Sequence, residues 1–328
     1  MSFLADYFEV IEGAKETPVC CPFDHFTTNK LPYKETNPSA SVNTSEGLFH
    51  CMACATGYSE PQFIQQIFGC SYMDAKRIQR CFSTPEDIFM WDKEVELTEA
   101  SKQRALALGI SAEVLEELHV KTPAGSQDII AFPVFMYNHL LDVRSYNPGA
   151  KPKVRSRANC PAGLIIPFDI WRETPLNKLT LICAGEKDMA IARTNGFNAI
   201  TITGGENTVT KLLKMFQGRQ VAIAYDNDDA GQRGAKALAL ALQPYTKSVK
   251  IVTNFHEICC EKGQDITDFF VTYGKNRDDL IEYIKKTEYY VPSPEDLTKS
   301  YPIMTLLEAS RPEQIGKLVQ SNIQVVAM

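Results

Sequence analysis

Residues 221–231 run an apolar strand, VAIAY, straight into Asp226, Asn227, Asp228 and Asp229 and then into a helix of small residues. Carboxylates at such a junction put hard oxygen ligands at one end of a sheet, where open α/β folds bind ligands. Asp226 and Asp228 therefore read as the principal ligands of a Mg2+ or Mn2+ ion. The competing reading is a plain helix start, because Asp is favoured there. Two further acidic clusters favour the metal. LTLICAGEKDMAIARTNG is a strand, an Ala184-Gly185 turn and a helix opening with Glu186 and Asp188, and KGQDITDFF sets Asp265 and Asp268 on a loop and a helix start. Far upstream, Cys20 and Cys21 open CCPFDH, and about thirty residues later FHCMAC holds Cys51 and Cys54. Thiolates at Cys-x-x-Cys spacing bind tetrahedral zinc from a tight turn, the other ligands coming from a second strand or loop. A redox Cys-x-x-Cys would open a helix in a thioredoxin-like unit, and no such unit is evident.

The elements that must position these groups follow from periodicity. Strand patterns fall at 179–183, 198–203, 220–225 and 247–253, with helical stretches at 186–195, 207–217 and 230–242. That alternation predicts a parallel sheet covered by helices. Right-handed crossovers bring the strand C-terminal ends, and with them the acidic clusters, to one edge. Upstream, Phe63, Ile64, Ile67, Phe68 and Ile78 form one stripe over 61–82 and predict a helix pair closing the cysteine module. The stretch 83–98, with Pro85, reads as a linker. SKQRALALGISAEVLEELHVKT reads as two short helices joined at Gly109, and IIAFPVFMYNHLLDVRSYNP as a hairpin turning at Tyr137 to His139.

After that hairpin, Arg144, Lys151, Lys153, Arg155 and Arg157 occur with no acidic residue between them, inside a chain of net charge −6. A basic run is more often a solvated loop. Just before an acidic metal site it gains a task, since nucleic acid and triphosphates need cations to approach that edge. Tyr146 is either a stacking platform or a strand residue.

At 328 residues and 44% hydrophobic, the chain is long enough for two or three domains with their own cores. Its ten cysteines need not pair: about four serve zinc, and others such as Cys183 within an apolar strand read as buried thiols of a reducing cytosol. MSFLADYFEVIEGAK lacks signal-peptide architecture and no apolar run is long enough to cross a bilayer, so a cytoplasmic protein is expected.

The order of acidic turn, Asp-x-Asp and Lys-Gly-x-Asp-x-x-Asp-Phe resembles the TOPRIM fold of bacterial-type primases, type IA and II topoisomerases and related nucleases, over about residues 176–290. CPFDHFTTNKLPYKETNPSASVNTSEGLFHCMACATG is similar to the zinc-binding domain of bacterial and phage primases. That resemblance maps the first ligand onto Cys21 and the last two onto Cys51 and Cys54. The second falls where this sequence carries an extra residue. His25 is chosen because imidazole is the commoner structural ligand, with Asp24 or a register using Cys20 open; His50 is read as a strand residue beside the knuckle. The combination resembles the primase half of phage primase-helicases, and no Gly-Lys-Ser/Thr nucleotide loop is present to supply a helicase.

The resemblance implies an α/β protein: an N-terminal zinc-ribbon-like β domain (1–82), the linker (83–98), a small mixed polymerase subdomain (99–175), a TOPRIM-type parallel sheet with flanking helices (176–290) and a C-terminal tail (291–328) that packs, docks a partner or is a cut linker. It implies a DNA primase that joins ribonucleoside triphosphates into an RNA primer on single-stranded DNA, with structural Zn2+ and catalytic Mg2+ or Mn2+, and with a replicative helicase as a further partner. Asp226 and Asp228 would then hold the metal, with Asp265 and Asp188 completing the cluster and Asp229 and Asp268 as caps or supports. Arg144, Lys151, Lys153, Arg155 and Arg157 would contact phosphates.

One position departs from that family. Its first strand ends in Glu-Gly, and the expected catalytic glutamate falls on Ala184. Glu186, two residues on and past a glycine, is expected to cap the helix or meet its dipole. Ala184 is then a deliberate knockout of an active enzyme, which the intactness of the other motifs favours, a natural change in a protein kept for binding, or a loss made good by another carboxylate. Two other functions compete: a TOPRIM nuclease, and a non-catalytic single-stranded DNA-binding or helicase-associated module. A type IA topoisomerase needs a large gated domain that this length does not provide.

Overall fold

The computed structural model describes residues 2–26, 32–33, 35–82, 96–156 and 160–293. Arg157, most of the expected linker and nearly all of the expected tail lie outside the described residues. The described residues up to Tyr289 belong to one compact unit.

Its N-terminal part begins with helix α1 (Phe3–Phe8), followed by strands β1 (Thr17–Val19), β2 (His25–Phe26), β3 (Pro32–Tyr33), β4 (Ala40–Asn43), β5 (Leu48–Cys51) and β6 (Thr56–Ser59), and helices α2 (Glu60–Phe68) and α3 (Tyr72–Phe82). The antiparallel sheet runs β1-β4-β5-β6, while β2 and β3 form a separate pair. On β5 the period of two turns Phe49 and Cys51 inward and Leu48 and His50 outward. A capping box starts α2, with Ser59 N–H donating to Gln62 Oε1 at 2.9 Å. Phe8, Phe23, Phe49 and Phe63 fill the space between sheet and helix. Phe3 is fully buried and meets Phe82 and Tyr137 edge-on at 5.0 and 5.6 Å, which ties α1 to the next layer.

Helices α4 (Glu99–Ala107) and α5 (Ala112–Glu117) follow, then β7 (Ile130–Met136), β8 (His139–Tyr146) and the short β9 (Val154–Arg155) in one three-stranded sheet. The two short helices meet at Gly109, with φ +92°. Tyr137 and Asn138 turn the hairpin with φ of 52° and 61°, a twist that suits right-handed strands. Their N–H groups donate to the two oxygens of Asp169 at 2.7 and 2.8 Å.

The third layer holds β10 (Ile165–Ile166), α6 (Phe168–Arg172), β11 (Thr180–Cys183), α7 (Glu186–Thr194), β12 (Ala199–Ile202), β13 (Gln220–Ala224), α8 (Asp229–Leu242), β14 (Ser248–Ile251) and α9 (Arg277–Lys286). The sheet order is β10-β12-β11-β13-β14, parallel except for β10. The strands β11, β12 and β13 are apolar and buried nearly throughout, as helices on both faces require. The helix expected over 207–217 is only a 3-10 turn at Leu213–Phe216. Thr208, Val209 and Thr210 are β-branched, and the chain there binds a loop instead: Lys211 N–H and the Thr210 hydroxyl both donate to the Gly163 carbonyl at 2.9 Å.

Candidate functional site

Two clusters of metal-binding groups stand among the described residues. In the first, ligand atoms of Cys21, His25, Cys51 and Cys54 all lie within 4.8 Å of one another. Three sulfurs and one imidazole are a structural zinc donor set, and the site fits that ion. Cys51 ends β5, Cys54 follows in the turn before β6, and Cys21 and His25 approach from the β1–β2 connection. Cys20 and Asp24 are exposed, and His50 is exposed on β5. Cys51 Sγ lies 3.5 Å from His25 Nε2, so the other ring nitrogen faces away from the thiols.

That nitrogen, His25 Nδ1, is 3.1 Å from Glu35 Oε1. Glu35 also accepts from the Cys21 N–H at 2.8 Å, from the Ser39 N–H at 3.3 Å and from the Ser39 hydroxyl. One carboxylate thus fixes two ligands, which no spacing rule revealed. Burial opposes ionisation of Cys51, but hydrogen bonds from Ser39 and Cys54 outweigh it and hold that thiol below its ordinary pKa. Replacing Glu35 with Ala is expected to weaken zinc binding ten- to roughly a hundredfold. Competition against a chromophoric chelator measures this, and unchanged affinity would remove Glu35 from the site.

The second cluster joins Asp188, Asp226 and Asp265, again with one oxygen of each within 4.8 Å of the others. Sheet order explains the meeting. β11 and β13 are parallel neighbours with Cys183 opposite Ala224, so the chain leaves both at the same edge. Asp226 follows β13, and Asp188 lies in the first turn of α7 after β11. Asp265 arrives on the loop after β14, pinned by Asn227, whose N–H donates to the Gln264 carbonyl at 2.8 Å. Asn227 also accepts from the Gly263 N–H at 3.0 Å, and its side chain donates to the Cys259 carbonyl at 2.8 Å. Asp226 Oδ1 is buried with no hydrogen-bond partner, an orphan that a cation would satisfy. The trio fits a hard divalent ion.

Asp228 is not brought into this trio. Its Oδ1 accepts from the Gly231 N–H at 2.8 Å and caps α8, the competing use of Asp at a helix start. Asp268 supports Asp265 by a reciprocal pair of N–H to carboxylate bonds at 3.2 and 3.0 Å. Lys187 reaches over the trio, its Nζ 2.9 Å from Asp265 and 3.3 Å from Asp188. Thr267 donates its hydroxyl to Asp188. Glu206, from the loop after β12, accepts the Asp226 N–H at 3.0 Å.

Glu186 lies in the first turn of α7, at the positive end of the helix dipole, the second of its two expected uses. It is buried and receives Arg144 Nε at 2.6 Å, while Arg144 Nη1 donates to Ser156. Arg144, expected to bind phosphate, is thus buried in an ion pair. A charged group beyond hydrogen-bond reach in the sequence carries no local signal for such a pairing. Lys151, Lys153 and Arg155 are exposed. Tyr146 is buried in β8, opposite Val154, as a strand residue. Ala184 follows Cys183, the last residue of β11.

Burial, then the neighbouring carboxylates of Asp188, Glu206 and Asp265, push the Asp226 carboxyl up to about 8. Burial and Asp265 also raise Asp188, against Lys187 and Thr267. A cation binds the carboxylate form, so its affinity is expected to rise with pH up to about 8 and then level, with net proton release at pH 7. Calorimetry of Mg2+ binding in buffers of different ionisation enthalpy reads that release. Binding without it would mean that Asp226 is already ionised.

Residues 179–276 match the Toprim domain family. No curated protein matches the chain. In fold the chain is similar to the Aquifex aeolicus primase, zinc binding and RNA polymerase domains, at 14% identity over 88% of this chain and 82% of that one, with a TM-score of 0.48. It is similar to the DnaG primase catalytic domain bound to ssDNA, at 14% identity over 76% and 92%, TM-score 0.49. It is also similar to the primase fragment of the bacteriophage T7 primase-helicase, at 13% identity over 81% and 100%, TM-score 0.43. The chain thus carries a Toprim domain in a mixed α/β fold, with an N-terminal Cys/His cluster suited to zinc.

Proposed function

We propose that this chain is a DNA primase that joins ribonucleoside triphosphates into short RNA on a single-stranded DNA template. The observation that carries the reading is the joint presence, in one compact unit, of a Cys3His cluster and a carboxylate trio at the Toprim sheet edge. A nuclease of the same domain has use for the trio alone, and a non-catalytic DNA-binding module for the thiols alone.

In this reading Cys21, His25, Cys51 and Cys54 hold Zn2+, and Asp226, Asp188 and Asp265 hold Mg2+ or Mn2+. Such an ion, when bound, lowers the pKa of an attacking hydroxyl and neutralises charge on the triphosphate. Asp226 would hold such an ion as the carboxylate, releasing the proton that its buried setting favours. Lys187, 2.9 Å from Asp265 and 3.3 Å from Asp188, would be the cation beside the trio to meet a phosphate once an ion neutralised those carboxylates. Burial opposes its charge, but those two carboxylates outweigh burial and hold it protonated, with its pKa raised. Arg144 acts indirectly, anchoring Glu186 and so the start of α7. Asp228 keeps the first turn of α8 in place behind Asp226. The zinc module reads the template, since base identity is most accessible on splayed single strands.

Within the described part of the basic stretch, Lys151, Lys153 and Arg155 are exposed and would meet nucleic-acid phosphates. Their joint replacement by Ala is expected to weaken single-stranded DNA binding and to flatten the slope of log affinity against log salt by about 2, from ~0.7 per phosphate contact. Titrations at several salt concentrations measure the slope, and an unchanged slope would acquit all three. Arg157, the tail and any helicase contact through it lie outside the described residues. No helix among the described residues is long and apolar enough to cross a membrane.

The deciding experiment is incorporation of labelled ribonucleotides on mixed-sequence single-stranded DNA with Mg2+. Short RNA that requires both template and metal supports the reading. Metal-dependent DNA cleavage without triphosphates would replace it with a nuclease. If no other group made good the missing carboxylate at 184, the chain would be an impaired member, slower by on the order of a hundredfold or more.

A further inference from the structure

We propose that Glu206 supplies the carboxylate that residue 184 lacks, so that the metal site is completed from the loop after β12 instead of from the end of β11. The juxtaposition follows from sheet order. β11 lies between β12 and β13, with Cys183 opposite both Thr201 and Ala224. Ala184 is the next residue at that central strand end. Glu206 belongs to the β12 side and Asp226 to the β13 side, yet Glu206 Oε1 accepts the Asp226 N–H at 3.0 Å. The loop after β12 thus carries Glu206 past the end of β11 to the β13 side, where its backbone carbonyl also packs against Gly234 of α8. A glutamate at 184 would extend from the strand end that this loop passes, so the two positions offer alternative sources of one carboxylate.

The surroundings are shaped to receive Glu206. Its loop turns through Gly204 and Gly205, with φ of +99° and +78°, backbone that other residues rarely adopt. Two glycines in α8 face it. A Cβ on Gly234 would lie 2.1 Å from the Glu206 carbonyl oxygen, and one on Gly231 would lie 2.4 Å from the Asp226 carbonyl oxygen and 2.7 Å from Glu206 Oε1. Glycine within a helix is destabilising, and these two have a close approach to account for them: they admit the backbone and the carboxylate of Glu206. Oε1 is engaged by the Asp226 N–H, and no ion pair to Glu206 exists among the described residues. Glu206 stands outside the trio whose oxygens lie within 4.8 Å of one another, held one hydrogen bond away on the Asp226 backbone, so a cation at the trio would draw its carboxylate in. Asp226 Oδ1, buried and unpartnered, belongs to the same residue that Glu206 grips.

The inference rests on the Toprim metal site of the proposed primase, but its first readout does not require primer synthesis. Mn2+ binding to the full zinc-loaded chain is measured by electron paramagnetic resonance for the wild type, E206Q, A184E and A184E/E206Q. Glutamine keeps an oxygen to accept the Asp226 N–H, so E206Q retains the loop, and thermal midpoints check the fold. E206Q is expected to weaken Mn2+ binding at least tenfold, and A184E/E206Q to return it to within about twofold of wild type. Unchanged affinity in E206Q, or a loss that A184E does not repair, overturns the proposal. Ribonucleotide incorporation by the same four chains is the second arm. If Mn2+ affinities follow the expected order and no chain makes RNA, Glu206 stands as a metal ligand and the primase reading falls. If the wild type makes RNA and E206Q does so equally with unchanged Mn2+ affinity, the primase stands and the role of Glu206 falls.

Discussion

Asp226→Asn is expected to reduce metal-dependent ribonucleotide incorporation on the order of a hundredfold or more, while making the chain more stable at pH 8 without divalent ions. Both effects come from the same crowding. Asp226 has burial and three carboxylates against it, which raise its pKa from 3.8 to about 8. Between those values the folded chain keeps a proton that the unfolded chain releases, so stability is full below about 4 and is lost as pH rises through about 8. An amide has no proton to lose and no charge to repel Asp188 or Asp265. The stabilisation that Mg2+ gives the wild type by binding only the folded state should disappear with the variant. Thermal midpoints at pH 6 and 8.5, with and without Mg2+, measure both. A variant that still gains from Mg2+, or that is no more stable than wild type at the higher pH, would remove Asp226 from the metal site. This is the familiar conflict between a charged site and the stability of its scaffold.

Removing zinc, by chelation or by Cys51→Ser, is expected to unfold the sheet β1-β4-β5-β6 while leaving α2 and α3 protected. Its strands are three or four residues long, shorter than the usual length of about five or six. A structural zinc in such peptides is worth roughly 10–16 kcal/mol of apparent binding energy, so the ion decides whether this part folds. The helices have other support. Phe82 stacks on His139, Phe68 meets Phe168 edge-on, and Lys214 donates to the Gln66 carbonyl at 2.8 Å. Hydrogen exchange should therefore rise in residues 40–59 and stay low in residues 60–82. Equal protection before and after chelation would mean that the aromatic core around Phe49 and Phe63, not zinc, holds the sheet.

The knuckle at Cys51 and Cys54 was legible because ligand spacing in a zinc turn is a local property of the chain. The same holds for the four parallel strands, legible as short apolar runs, and for the hairpin at Tyr137 and Asn138, where turn chemistry acts within a few residues. His25, left open against Asp24 and Cys20, needed the fold: only the position of β2 beside Cys51 turns one imidazole toward the thiols. The stretch 207–217 misled because helical spacing of Leu212, Leu213 and Phe216 ignores the Gly163 loop that captures Thr210 and Lys211.

By itself the amino-acid sequence determined which groups this protein has available: cysteines at zinc-knuckle spacing, a sheet edge rich in carboxylates and a basic stretch before it. Only the tertiary structure decided how they are used. Asp226 and Asp228 look equivalent along the chain, but one points at Asp188 and Asp265 and the other caps a helix. Arg144 is one of five basic residues in sequence and is the one buried against Glu186. Glu206 has no motif, yet it reaches Asp226 across an intervening strand end. The physical reason is common to all three. Periodicity and capping act over one or two turns of chain, whereas convergence at a sheet edge depends on which strands become neighbours, and that is set by long-range burial and pairing.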